Sequence, residues 1–447
     1  MEENEKSKEL IRIEALESDE RREDEHEDVI ELALELGRAL IETGGELQRA
    51  EYAAEKLCRA YGAVATDTYA TGTVIILTAE FENGNRTTRS VRVRKDTVDL
   101  RAFERINSLS REFCETAPPP EEAERRLKAV IGQKTAPLWQ EIAGVALGSA
   151  GMTVASMGSL PDGLMAAVAA ALVISLNYYF SRVVGKFVTT ALTAFLASTF
   201  CILFYAAGAG DNLPTMITGE ILVLVPGLTI LSAMRDMLSG NVESGATRFL
   251  HSVLVAFGLA LGVALALLVF EPLVGDAMNA TVTSGIGGDV FPVVRVASSV
   301  VGALGFSLYF HIEYKRIPFA LANVFVTMLI ICLMEYAGGV KQVFFRTLAA
   351  SFAVTLISEI LASRLKAPAV VFLTSALLPM LPGTNMYLFM SYMVSGEYGL
   401  MAENLITAFQ GALGIACGIL AVGVFATGIR KFVSRIHFGA KTKPKNR

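Results

Sequence analysis

Apolar runs close to twenty residues long recur through most of this chain, and no other feature constrains its fold as tightly. As a helix rising 1.5 Å per residue, such a run matches the hydrocarbon thickness of a bilayer. The runs fall near 138–157, 163–180, 186–207, 215–234, 248–270, 293–311, 317–336, 343–362, 369–390 and 405–428. The expected fold class is an α-helical polytopic membrane protein with about ten transmembrane helices. Trp139, the sole tryptophan, opens the first run, where an interfacial ring belongs. Overall composition, 53% hydrophobic and 19% charged, averages two populations. Residues 1–137 are dense in Glu, Asp, Lys and Arg, and charge is then sparse until the basic tail.

The charged part divides again. Residues 1–27 are acidic and poor in aromatic and β-branched residues, which predicts a disordered tail without the apolar core of a signal peptide. Residues 28–137 read as a small cytoplasmic α+β domain. Leu32, Leu36, Leu40, Leu47, Ala50, Ala54 and Leu57 recur at helical spacing, with Gly44-Gly45 as an interruption that can split the helix in two. Val64 to Glu82 reads as one strand centred on Val74–Leu77. Asn83-Gly84 is a hairpin signal, and Arg86–Arg94 alternates as the return strand. A helix follows from Asp96 to Phe113, closed by Pro118-Pro119-Pro120, and a charged helix over 121–131 leads to the first apolar run. The five cysteines are scattered without metal-ligand spacing and read as small buried hydrophobes. No metal, cofactor or nucleic-acid partner is expected. The absence of a Walker A loop argues against direct nucleotide drive.

The membrane part repeats itself. The stretch Leu224–Gly240 reappears as Met380–Gly396, so that Pro226 meets Pro382, Gly227 meets Gly383, and Ser239-Gly240 meets Ser395-Gly396. The offset is 156 positions (382 minus 226), and it also carries Gly258 and Gly262 onto Gly414 and Gly418. The same shift moves the first five runs onto the last five. This predicts two five-helix repeats, 138–270 and 291–428, followed by a basic cytoplasmic tail at 429–447. Five crossings are an odd number, so the second repeat must enter the membrane inverted. With the N-terminal domain in the cytoplasm, the inner loops hold Arg182, Lys186, Arg235, Arg248, Lys315, Arg316, Arg364 and Lys366. The outer loops hold Lys341 as their only basic residue, beside Asp162, Asp211, Glu271, Asp276 and Glu397. That is the positive-inside bias, and it places both termini in the cytoplasm of a multi-pass cell-membrane protein.

Inverted repeats built around broken helices are the pattern of secondary transporters, with substrate near the midplane. Each repeat offers one break, at Pro226-Gly227 and Pro382-Gly383. Proline removes a backbone donor and glycine permits unusual dihedrals. A half-helix starting there would present free N–H groups to a carboxylate. Thr229, Ser232, Thr384 and Asn385 lie just beyond and suit a polar substrate. The alternative is a plain proline kink. Glu220 and Glu359 are candidate proton carriers, unless they merely reach the interface, and Arg346 and Arg295 are candidate anion partners. Gly144-Val-Ala-Leu-Gly148 spells a close-packing motif.

These residues resemble a known family. Glu35–Glu51 (ELGRALIETGGELQRAE), Thr71-Gly-Thr73, Arg89–Arg94 and Asp99-Leu100 are similar to the soluble domain of the threonine/serine exporter family. Ala143–Gly148 and the two Pro-Gly runs are similar to its membrane units. The resemblance extends over about residues 28–430. It implies export of small hydroxy amino acids, threonine and serine, from the cytoplasm, driven by the proton gradient as proton antiport. It also implies a competitor, C4-dicarboxylate (succinate) export, known from related split members. The partners are then a small-molecule substrate, protons and the lipid bilayer, and a homo-oligomer is compatible. No enzyme activity is expected. The reading from another class is a membrane-anchored hydrolase using Thr66, Asp67, Thr71 or Thr73 with His26, a thinly supplied set.

Overall fold

The structure is a computed structural model that describes residues 25–82, 84–94, 98–133, 136–180, 185–222, 224–225, 227–238, 240–274 and 291–441. The chain divides into two compact units, Met1–Thr135 and Ala136–Arg447.

In the first unit, the long apolar periodicity becomes two helices, α1 (25–42) and α2 (Leu47–Ala60). The Gly-Gly pair separates them for a physical reason. Gly44 takes φ +98°, and a Cβ on Gly45 would stand 2.5 Å from the Leu40 carbonyl oxygen and 2.7 Å from Phe103 Cε2. Helix α1 starts at residue 25, so the last positions of the expected tail are helical; residues 1–24 lie outside the described residues. The single strand expected over 64–82 is instead two, β1 (Ala63–Ala70) and β2 (Val74–Phe81), in an antiparallel sheet of order β1-β2-β3 with β3 at Arg86–Arg92. Thr71 makes the extra turn. Its hydroxyl accepts from Val74 N–H at 3.0 Å and Thr73 N–H at 3.2 Å, and donates to Val74 O at 3.1 Å. At the β2–β3 hairpin Gly84 takes φ +79°; Asn83 lies outside the described residues. Ile75, Leu77, Ala79 and Phe81 alternate to the buried face of β2. Helix α3 (Leu100–Thr116) starts at Asp99, whose carboxylate accepts from Ala102 N–H at 2.9 Å, and α4 (Pro120–Ile131) begins on a proline.

The second unit is all helical among the described residues. Its helices are α5 (Leu138–Ala155), α6 (Leu160–Phe180), α7 (Lys186–Ala206), α8 (Leu213–Ile221), α9 (Gly227–Leu238), α10 (Val242–Val269), the short α11 (Glu271–Val274), α12 (Phe291–Tyr309), α13 (Ile317–Cys332), α14 (Val343–Leu365), α15 (Ala369–Leu377), α16 (Gly383–Ser395) and α17 (Tyr398–Lys441). A π-helical turn, Leu333–Ala337, extends α13. The expected tail at 429–447 is helical through Lys441, as the end of α17.

Seven of these helices are long and apolar enough to cross a membrane, or eight if the bent pair α15–α16 counts as one span. The chain is thus a multi-pass membrane protein, in which length and composition support seven or eight crossings among the described residues against the ten expected. The first and fourth expected spans account for the difference. Helix α5 is rich in Gly, Ala and Ser and carries Gln140 and Glu141 in its first turn. The fourth run is cut into α8 and α9, of 9 and 12 residues.

Helix bounds recur at the 156-residue offset. Leu213–Ile221 maps onto Ala369–Leu377, the start of α9 at Gly227 onto the start of α16 at Gly383, and Val242 onto Tyr398. Packing recurs as well: α7 lies on α10 as α14 lies on α17, and α6 on α8 as α13 on α15. Glycine makes the same contact in both halves. A Cβ on Gly262 would fall 2.2 Å from Ala191 O of α7, and one on Gly418 would fall 2.0 Å from Ser351 Oγ of α14. The most extensive pairing is α5 with α12, the first helices of the two halves. There Gly144 and Gly148 of the close-packing motif face Gly305, whose Cβ would lie 2.2 Å from Gly148 N.

Candidate functional site

Two interrupted helices carry the candidate site. Helix α8 starts from the cap of Asn212, whose side chain accepts from Thr215 N–H, and ends at Ile221. Regular helix resumes only at Gly227, the start of α9. Pro226 lies outside the described residues. In the second half, α15 ends at Leu377, a 3₁₀ turn covers Leu378–Met380, and α16 begins at Gly383. Proline explains this interruption. Pro382 offers no N–H and pushes its predecessor out of helical backbone, and Leu381 has ψ 135°. The helices on either side are bent by 43°.

The two interruptions adjoin. A Cβ on Gly383 would lie 3.2 Å from Leu222 Cδ1 and 3.4 Å from Thr218 Cγ2, so α16 starts against the end of α8. Leu222 and Leu378, which the 156-residue offset relates, share a small buried cluster with Met152 and Phe306. No side chain caps the N-terminus of α16. Its first turn carries Thr384 and Asn385, both half-buried, and Asn385 Nδ2 donates to Asn404 Oδ1 of α17 at 3.3 Å. Thr229 and Ser232 of α9 are half-buried.

The two expected proton carriers differ sharply. Glu220 is 1% exposed, and its Oε2 has no hydrogen-bond partner among the described residues. It lies one turn before the first interruption, on the face of α8 that holds Leu213, Met216 and Ile217. Those three pack with Cys201, Val263, Tyr387 and Met390. Nearby Thr218 Oγ1 is likewise buried and unpartnered among the described residues. Glu359 is exposed on α14. The structure therefore places only Glu220 beside an interruption.

Arg295 and Arg346 are not beside the interruptions. They sit near the starts of α12 and α14, and both bind Glu335, with Nη1···Oε2 distances of 2.9 and 2.5 Å. Sequence reasoning missed Glu335, although it is the only acidic residue in the run 317–336. It also missed Asp236, 2% exposed and paired with Arg248 at 3.3 Å, and Asn323. The Asn323 amide donates to Ser358 Oγ at 2.8 Å and Val354 O at 3.3 Å, pinning α13 to α14. Asn323 is a buried amide inside an apolar run, a signal legible in the sequence.

The hydrolase set is dispersed over other duties. Thr66 Oγ1 accepts from Arg59 Nε at 3.1 Å, Thr71 closes its turn, and the His26 ring stacks on Phe81 with centroids 3.8 Å apart.

A family model for a threonine/serine exporter matches residues 31–270, and a second, described as "Threonine/Serine exporter, ThrE", matches residues 280–425. The "Threonine/serine exporter" of Corynebacterium glutamicum is 24% identical over 340 residues, 73% of this chain and 67% of that one. The "Probable threonine/serine exporter" of Mycobacterium tuberculosis is 22% identical over 306 residues, 67% of this chain and 57% of that one. The "Probable succinate transporter subunit YjjP" of Escherichia coli is 32% identical over 80 residues, 18% of this chain and 31% of that one. No solved structure matches. With one family model covering more than half of its 447 residues and a second covering most of the remainder, this chain belongs to the threonine/serine exporter family.

Proposed function

We propose that this chain exports threonine and serine from the cytoplasm in exchange for protons, through a site where the two helix interruptions meet. The observation that carries the reading is the contact of Gly383 with Thr218 and Leu222. The start of α16, in the second half of the chain, there meets the end of α8, in the first. A helix start attracts an anion through its unpaired N–H groups and its dipole, which suits the substrate carboxylate. Thr384 and Asn385 on α16, with Thr229 and Ser232 on α9, supply the hydrogen bonds for a hydroxyl and an ammonium group. Pro226 and Gly227 complete the first interruption. The two repeats lie inverted in the membrane, with both termini cytoplasmic, so rocking one against the other exposes the site to either side.

Glu220 is the proton carrier in this reading. A fully buried carboxyl group whose Oε2 has no hydrogen-bond partner among the described residues can hold a proton or meet the substrate ammonium, and the two become alternatives. Cells lacking the protein and fed a threonine-containing dipeptide should accumulate more internal threonine than cells expressing it. A proton uncoupler should erase the difference. Equal internal threonine in both strains refutes the reading. The second reading, C4-dicarboxylate export, draws on the 80-residue similarity to the succinate transporter subunit. It takes over if succinate efflux, and not threonine efflux, depends on the protein.

A further inference from the structure

Positive charge is scarce on the side of the membrane that the proposed topology puts outside. Three basic residues fall there, Arg295, Lys341 and Arg346, all in the second half of the chain. The structure brings the two arginine side chains together, and Lys341 adjoins them through its backbone. Arg295 Nη1 and Arg346 Nη1 converge on a single oxygen, Glu335 Oε2, and Arg346 Nη2 donates to the Lys341 carbonyl oxygen at 3.4 Å. Arg346 Nε is buried with no acceptor among the described residues. Two guanidinium groups thus share one carboxylate oxygen, and the cluster carries a net positive charge. Two oxygens of one carboxylate, one on each fork, would satisfy this pair better than the one that Glu335 offers.

The position favours exchange over a fixed structural pair. Side chains of Arg295, Glu335 and Arg346 are 24%, 30% and 14% exposed, so the cluster is open to solutes yet partly shielded from solvent screening. Glu335 rides on the π-helical turn Leu333–Ala337, where Gly338 N–H bonds back five residues to Leu333 O. Such turns recur at functional sites.

We propose that Arg295 and Arg346 form a carboxylate-binding site at the outer end of the second repeat. Glu335 fills it when no ligand is present and yields to the carboxylate group of a transported solute. The outward position of the site and the identity of the solute rest on the proposed function; the carboxylate chemistry does not. The site differs from the central one in using charged side chains instead of helix N-termini, and it would serve release or re-entry.

The test is thermal unfolding of the purified full chain in detergent, titrated at constant ionic strength with threonine, succinate and, as control, chloride. The wild-type unfolding temperature should rise saturably with a carboxylate probe and not with chloride. Glu335→Gln removes the resident competitor and should bind the probe about tenfold more tightly. Arg346→Gln and Arg295→Gln, each made in the Gly383→Leu background that obstructs the central site, should lose the response. If either fails to fold, Arg346→Lys, which keeps the charge without the fork, should weaken it about tenfold. Gly383→Leu alone, which obstructs the central site, should keep the part of the response that the two arginines give. Threonine acting alone assigns an amino acid to the site, and succinate acting more strongly assigns a dicarboxylate. The proposal is overturned if chloride acts equally, if Glu335→Gln weakens the response, or if the response survives in the arginine variants or disappears in Gly383→Leu alone.

Discussion

A methyl group added at Gly305 would place its carbon 2.2 Å from the backbone nitrogen of Gly148, where neither atom can yield without separating α12 from α5. Gly305→Ala should therefore lower stability by about 1–3 kcal/mol, the usual cost of overpacking. Gly399, in the first turn of α17, meets nothing within 4 Å, and Gly399→Ala should be neutral or gain up to about 1 kcal/mol. Thermal unfolding in detergent checks both, and equal losses would contradict the close-packing account. Cys58 offers a second residue-scale test. It is fully buried, and that burial pushes its thiol up to about 12. Since the thiolate is the reactive form, a maleimide at pH 8 should leave Cys58 unmodified in the folded chain and modify it after denaturation. The close-packing glycines were legible, because Gly144-xxx-Gly148 and the pairs at 258/262 and 414/418 stand out against apolar neighbours. Glu335 and Asp236 were not read, because a charge near a run end looks like an interfacial group until its partners are placed.

At the scale of elements, a break in a helix was legible where proline and glycine stand together and obscure where a side chain makes the turn. Pro382-Gly383 marks the start of α16 to the residue, and Gly44-Gly45 marks the end of α1. The β1–β2 turn escaped notice because Thr71, not the neighbouring glycine, closes it with three hydrogen bonds to Thr73 and Val74. Thr71→Val should cost about 1–2 kcal/mol by leaving those backbone groups without their partner, detectable as faster amide exchange at Val74 in the full chain. Slower or unchanged exchange there would remove the turn's claimed role. The junction of α8 and α16 gives the functional counterpart. Gly383→Ala presses on the flexible end of Leu222 at 3.2 Å and touches Thr218 at ordinary contact distance, and it should transport. Gly383→Leu fills the space between the half-helices and should abolish transport while insertion into the membrane persists. Full activity in Gly383→Leu would mean that substrate passes elsewhere.

For the molecule as a whole, the repeat was legible from register alone, since one offset relates helix starts at 213 and 369, 227 and 383, and 242 and 398. The number of crossings was not, because the apolar runs at 138–157 and 215–234 fold as the more polar α5 and as the short α8 and α9, none of which counts as a span by length and composition. Their burial by neighbouring helices, which a linear pattern does not encode, is what permits them: Gly144, Gly148 and Gly151 lie against α12, and every residue of α8 is buried. The proposed inversion of the repeats predicts which ends face the cell exterior. Cysteines introduced at Asp211 and Glu397 should react with an impermeant reagent from outside, and one at Lys366 should not. The central claim is that the paired interruptions move threonine against protons, with Glu220 as the carrier. It is tested most directly in vesicles containing only this protein, loaded with labelled threonine and placed in a more acidic medium. Threonine should leave faster than from protein-free vesicles and against its own gradient, an uncoupler should stop the uphill part, and Glu220→Gln should retain downhill exchange alone. Threonine efflux equal to that of protein-free vesicles, with succinate leaving in a protein-dependent way, would contradict the account.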